Sequence, residues 1–207
     1  MNYEQMENNK ANLSGIITEE PVFSHEVMGE GFYETFIEVK RLSEKTDVIP
    51  ITVSERLIGG GEITKGSEVG LSGQFRSYNM TNGERSKLVL SFFVREIFEP
   101  FPENPNWIEI CGYVCKDSVY RTTPFGREIC DMLVAVNRAY NKSDYLPCIA
   151  WGRNARFAHH VPVGEKVRIT GRLQSRPYQK QLENGDIETR VAYEVSIGRI
   201  AIEQENE

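Results

Sequence analysis

The chain is written twice, and that constrains its fold more than any other feature. Leu13-Ser14-Gly15 returns as Ile110-Cys111-Gly112, and Phe36-Ile37-Glu38-Val39-Lys40-Arg41 as Leu133-Val134-Ala135-Val136-Asn137-Arg138, both 97 residues on. The offset becomes 98 where Val69-Gly70-Leu71-Ser72-Gly73 meets Val167-Arg168-Ile169-Thr170-Gly171. A period this long in 207 residues means two copies of one domain of about 95 to 100 residues, not a solenoid of short units. At 40% hydrophobic and 26% charged residues the composition is that of a water-soluble globular protein, and no apolar run approaches the roughly 18 residues of a membrane span. The first eleven residues are polar and carry no signal-peptide pattern, so the expected compartment is the cytoplasm.

Both copies read as short strands broken by turns. In the second, Trp107 to Lys116 alternates as a strand, Thr123 to Gly126 is a turn, Arg127 to Arg138 is a long strand, Asn141 to Asp144 a polar loop, and Tyr145 to Trp151 a third strand. Asn154 to Val161 has the composition of a short helix. Lys166 to Ser175 and Thr189 to Ile202 complete the set around an Asn-Gly turn at Glu183 to Asp186. Five strands with a helix between the third and fourth is the order of an OB-fold, a closed Greek-key barrel. The expected class is therefore all-β, two tandem OB-folds, each with one short helix at most; the first copy's helix is Ser54 to Ile58, and its hairpin turn is Thr81 to Glu84. The predicted division is a flexible tail 1–11, an acidic OB-fold 12–99, a Pro-rich linker 100–106, a second OB-fold 107–202 and an acidic tail 203–207. Pro100, Pro102 and Pro105 make the linker extended and fairly stiff.

A net charge of −6 hides an asymmetry. Residues 1–105 hold 10 Lys+Arg against 17 Asp+Glu, residues 106–207 hold 14 against 13, and a polyanion would choose the second copy. Cys111, Cys115, Cys130 and Cys148 all lie in that copy. Without a second close pair or a neighbouring histidine they read as small buried hydrophobes in a reducing compartment, with a zinc site or a disulfide as the alternative.

The period of two assigns faces to the third strand: Leu146, Cys148 and Ala150 suit a barrel interior, and Tyr145, Pro147, Ile149 and Trp151 face outward or into a groove. Tyr145 and Trp151 then stand roughly 20 Å apart along the strand. Tyr140 and Tyr178 fall where loops meet strands. Around these rings lie Arg121, Arg127, Arg138, Lys142, Arg153, Arg156, Arg172, Arg176 and Lys180. Rings interleaved with cations suit a single strand, because each stacked base contributes about 1–3 kcal/mol and Lys or Arg neutralise phosphates. Stacking and phosphate contacts do not read the 2′-hydroxyl, so these residues leave DNA and RNA both open. A lone ring in a strand is most often core or interface. Here the repeat weighs against that, because Tyr140, Tyr145, Trp151 and Tyr178 correspond to Ser43, Val48, Ser54 and Met80 in the first copy, so all four rings vanish together while core positions are kept.

At these residues the chain resembles the bacterial single-stranded DNA-binding proteins. The resemblance rests on Leu133 to Tyr140, Asp144 to Arg153 and Thr170 to Tyr178, covers residues 107 to about 200, and reaches the first copy only through its likeness to the second. It implies that Tyr140, Tyr145, Trp151 and Tyr178 occupy the family's base-stacking positions. It also implies sequence-independent binding of single-stranded DNA in replication, recombination or repair, in a nucleoid-associated setting. The family works with four OB-folds, so two per chain imply a homodimer. Its members continue into a Gly/Pro/Gln-rich linker with an acidic Pro-Phe tip that recruits other enzymes, whereas this chain reads Ile202-Glu203-Gln204-Glu205-Asn206-Glu207. Replication or repair proteins are thus partners on the family's account alone.

No catalytic constellation emerges. His25, His159 and His160 are the only histidines, no Gly-rich phosphate loop precedes a helix, and Glu19-Glu20 sits in an ordinary turn. The expectation is no enzyme, no cofactor and no metal. The competing reading is an OB-fold protein-interaction module of a primosome-type replication complex, with the rings in subunit contacts and weak DNA binding.

Overall fold

The computed structural model describes residues 8–41, 43–82, 85–101, 103–182 and 185–203. Its first half runs β1 (Asn9–Ile17), β2 (Val22–Val27), β3 (Glu30–Lys40), β4 (Thr46–Ser54), α1 (Glu55–Ile58), β5 (Glu68–Asn82) and β6 (Arg85–Phe98). The second half repeats the order as β7 (Asn106–Val114), β8 (Val119–Thr122), β9 (Glu128–Arg138), β10 (Lys142–Trp151), α2 (Arg153–His159), β11 (Lys166–Gln181) and β12 (Ile187–Ile202). In each half five strands close a barrel. The first closes through the antiparallel pair β1–β3 and the parallel pair β4–β6, the second through β7–β9 and β10–β12. Two tandem OB-folds is therefore the architecture, with one addition: β2 and β8 are short extra strands on the outer edges of β3 and β9.

The repeated Ser-Gly and Cys-Gly pairs have a steric cause. At Gly15 and Gly112 one strand bends from one neighbour to the other, and a Cβ there would run into the carbonyl of Glu38 or Ala135. Alternation then fills each barrel. Leu13, Ile37, Ile49, Ile51, Leu71, Phe75 and Phe92 fill the first, and Ile110, Val134, Leu146, Cys148, Val167, Ile169, Leu173 and Val195 the second. Cys111, Cys130 and Cys148 are buried free thiols, with burial pushing the Cys148 thiol far above its usual range.

The halves are not beads on a linker. β1 pairs antiparallel with β7, from Asn9 opposite Ile110 to Leu13 opposite Asn106. Asn9, Lys10 and Ala11, expected in a flexible tail, are thus strand residues, and the expected linker ends one residue early because Asn106 already belongs to β7. The linker is itself tied down, since Ser14 N–H donates to the Pro105 carbonyl at 2.8 Å and Phe101 N–H to Ser14 Oγ at 3.1 Å.

Across this seam the contacts obey the repeat. Asp47 Oδ1 accepts from Ser175 N–H at 2.8 Å while Val48 N–H donates to Ser175 Oγ at 3.1 Å. Asp144 Oδ1 accepts from Ser77 N–H at 2.8 Å while Tyr145 N–H donates to Ser77 Oγ at 2.7 Å. The chain is therefore a pseudo-dimer with an approximate internal twofold. A second duplicated device braces each barrel: Asn9 bonds Phe75 N–H and C=O, and Asn106 bonds Leu173 N–H and C=O.

Candidate nucleic-acid interface

β10 carries the two central rings. Leu146, Cys148 and Ala150 point into the barrel, and Tyr145 and Trp151 stand outside at 43% and 38% exposure. Ile149 departs from the sequence reading: it shares the outer face with the rings by alternation but is buried. Tyr178, on the β11 arm that extends past the barrel, is also exposed.

Tyr140 is the most exposed of the four candidate rings, at 85%. The β9–β10 connection is shorter than the polar loop expected from sequence, because Arg138 already pairs with Lys142 and only Ala139, Tyr140 and Asn141 turn the chain. Tyr140 and Asn141 both lie in the left-handed region, at φ 62° and 55°. That conformation is costly for a bulky side chain, and it holds the tyrosine out from the barrel.

Eight of the nine expected cations divide into two groups. Arg127, Lys142, Arg153 and Lys180 are exposed, and Arg127 borders the same shallow recess as Trp151. The other four face carboxylates. Arg121 bonds Asp131 at 2.7 and 3.0 Å, and Arg176 bonds Glu194 at 3.0 and 3.3 Å. Arg138 stands 3.4 Å from Asp144. Arg172 reaches across the seam to Asp47 at 2.9 Å and also bonds Gln174 at 2.9 Å. It is half-buried, and burial pulls its guanidinium below the ordinary arginine range. Arg156, also named with them, pairs with Glu128 at 3.0 Å.

Sequence reasoning missed Ser77 and Asp144. Ser77 belongs to the first half, yet it bonds the backbone of Tyr145 and so fixes the height of a ring in the second. Asp144 is 2% exposed and lies at the seam; burial raises its carboxyl above the usual range, opposed by the Ser77 N–H and by Arg138 and Arg76. The duplicated Asp47 and Asp144 were visible in the sequence, but their partners lie on distant strands. Among the described residues no group of three or more His, Cys, Asp or Glu could hold a metal ion, and no helix is long and apolar enough to cross a membrane.

The barrels, their order and the seam define a tandem OB-fold protein. Residues 105–202 match the single-strand binding protein family. "Single-stranded DNA-binding protein 1" of Staphylococcus aureus (strain COL) is 32% identical over 83 residues, which are 37% of this chain and 50% of that protein. The chain thus spans about half the length of the curated relatives it matches. The wild-type single-stranded DNA binding protein from Thermus aquaticus superposes with a TM-score of 0.75 at 17% identity, covering 96% of this chain and 94% of that one; the likeness is one of fold across both barrels. The dimeric N-terminal domain of the PriB protein from Thermoanaerobacter tencongensis is 43% identical, over 46% of this chain and 99% of that chain. Its TM-score of 0.39 is too low to carry an assembly across.

Proposed function

We propose that the protein binds single-stranded DNA without sequence preference and covers it during replication, recombination or repair, at the nucleoid. One observation carries this reading: Tyr140, Tyr145, Trp151 and Tyr178 are all exposed in one half of the chain, the half that matches the single-strand binding protein family. Exposed ring faces suit bases that a duplex would hide. Arg127, Lys142, Arg153 and Lys180 would meet phosphates directly. Arg121, Arg138 and Arg176 would do so from beside their carboxylates, while Arg172 chiefly holds the seam. Two chains would bring four barrels together as a homodimer, with replication or repair proteins as further partners.

Anisotropy of a labelled oligo(dT), against a duplex of the same length, tests the reading. The single strand should bind tightly and the duplex poorly, with log K falling linearly in log salt by about 0.7 per phosphate contacted. Equal affinity for the two, or none for either, would refute it. Sedimentation of the free protein at twice the chain mass is the expected outcome for the dimer.

A further inference from the structure

The sequence gives the first half no stacking ring at the four expected positions, yet the folded first half has rings elsewhere on the corresponding face. Phe32 on β3 and Phe93 on β6 lie side by side, centroids 5.8 Å apart, and His25 stacks on Phe32 at 5.2 Å and 15°. The Arg76 guanidinium caps Phe93 at 3.6 Å from the ring centroid. Together they line a cleft of about 740 Å³, within the range of about 300–1,000 Å³ usual for small-molecule sites. Tyr78, exposed by 41%, is part of the same wall. The opposite wall comes from the second half, as the β9–β10 turn with Arg138, Tyr140 and Lys142.

The charge around the cleft is positive, in an otherwise acidic half. Burial pushes the Arg76 guanidinium down to about 10, and the neighbouring Arg138 and Arg95 push the same way against Asp144 alone. Glu34 supplies the acid on the wall, where it accepts from Ser24 at 2.7 Å. Clustered arginines of this kind leave a local positive potential that an anion would relieve. The cleft also continues the ring path of the second half: Ser77, which borders it, holds the backbone of Tyr145, and Tyr140 overhangs it. A single strand leaving Tyr145 and Tyr140 meets this cleft next.

We propose that the cleft between the first barrel and the β9–β10 turn is a second base-stacking site, which takes the single strand across the seam with bases on Phe32, Phe93 and Tyr78 and phosphate on Arg76 and Lys142. This rests on the proposed single-strand binding and deepens it, because it makes the first half a binding surface with its own rings and not merely an assembly partner.

The test cross-links the full chain to a 5-iodouracil-substituted oligo(dT) of about 32 nucleotides, long enough for two OB-folds at up to about 16 each, and maps the adducts by mass spectrometry. The expected map has adducts on Phe32, Tyr78 or Phe93 as well as on the rings of the second half. Tyr78→Ala, at an exposed position, should then weaken binding of that oligonucleotide by about 5- to 150-fold, the loss of one stacked base. Adducts confined to the second half, with affinity unchanged in Tyr78→Ala, would overturn the second site and leave the proposed function standing. A cleft reserved for a protein segment would give that same result. Failure of the oligonucleotide to bind at all would instead refute the proposed function, and the second site with it.

Discussion

Ser54 and Trp151 occupy the same place in the repeat and do opposite things. Ser54 caps α1, with its Oγ accepting from Arg56 N–H at 3.2 Å and donating to the Glu30 carboxylate. In the second half the equivalent of Ser54 is an exposed indole that ends β10, and the cap falls to Gly152, at φ 55° with no side-chain hydrogen bond. A serine cap stabilises a helix by about 0.5–2 kcal/mol relative to alanine. The first barrel keeps that contribution, and the second gives it up for a ring in water. Tyr140 repeats the pattern, a bulky residue held in the left-handed region to project its ring. Duplication has preserved closure, glycines and braces in both barrels, while departures from local stability gather in the one with the exposed rings.

The rings give the largest expected difference between the two barrels. Tyr145→Ala with Trp151→Ala should lose about 2–6 kcal/mol of oligo(dT) affinity, at least about 30-fold by anisotropy, while Val48→Ala at the matching position of the first barrel leaves affinity unchanged. Equal losses would mean that the difference between the barrels is not one of stacking. The asparagine braces are shared, so the two barrels should respond alike to their loss. Asn9→Ala and Asn106→Ala each strand one backbone N–H and one C=O, and each should cost about 1–3 kcal/mol in urea denaturation. The smallest expected effect is at the seam. The raised Asp144 carboxyl means that the folded chain prefers the protonated acid; its contribution to stability is complete below the unfolded carboxylate value, about pH 4, and is lost as pH rises through the raised folded value. Asp144→Asn is spared that loss, so its stability relative to wild type should improve from about pH 4 towards pH 7. Parallel curves would mean that this carboxyl does not titrate abnormally.

Much of this was legible in the sequence because it is local. Alternation on β10 separated Leu146, Cys148 and Ala150 from Tyr145 and Trp151, and the repeat located both barrels. What escaped depends on pairing between distant segments. Asn9 to Ala11 carry no local strand signal, and pairing with β7, joined at Ala11 by β5, makes them a strand. β2 is wholly exposed and β8 nearly so, leaving no apolar alternation to detect. The arm of β11 beyond Ser175 is polar because it leaves the barrel, yet it continues pairing with β12 to Gln181. The seam contact of Arg172 was hidden because Asp47, its partner there, is 125 positions away in the chain. The cleft was hidden for the same reason, since Phe32, Arg76 and Phe93 come from three strands and a net charge summed over the acidic half conceals the arginines they meet.

Trp151 gives the most direct test of the division between the barrels, because it is exposed while Trp107 is half-buried at the seam. Replacing Trp107 with Phe leaves Trp151 as the remaining indole, and its fluorescence can be titrated with oligo(dT) at low and high salt. Strong quenching, saturable and shifted to higher oligonucleotide concentration by salt, is the expected result and places a base on the second barrel. No quenching, together with no retardation of the oligonucleotide on a gel, would contradict it.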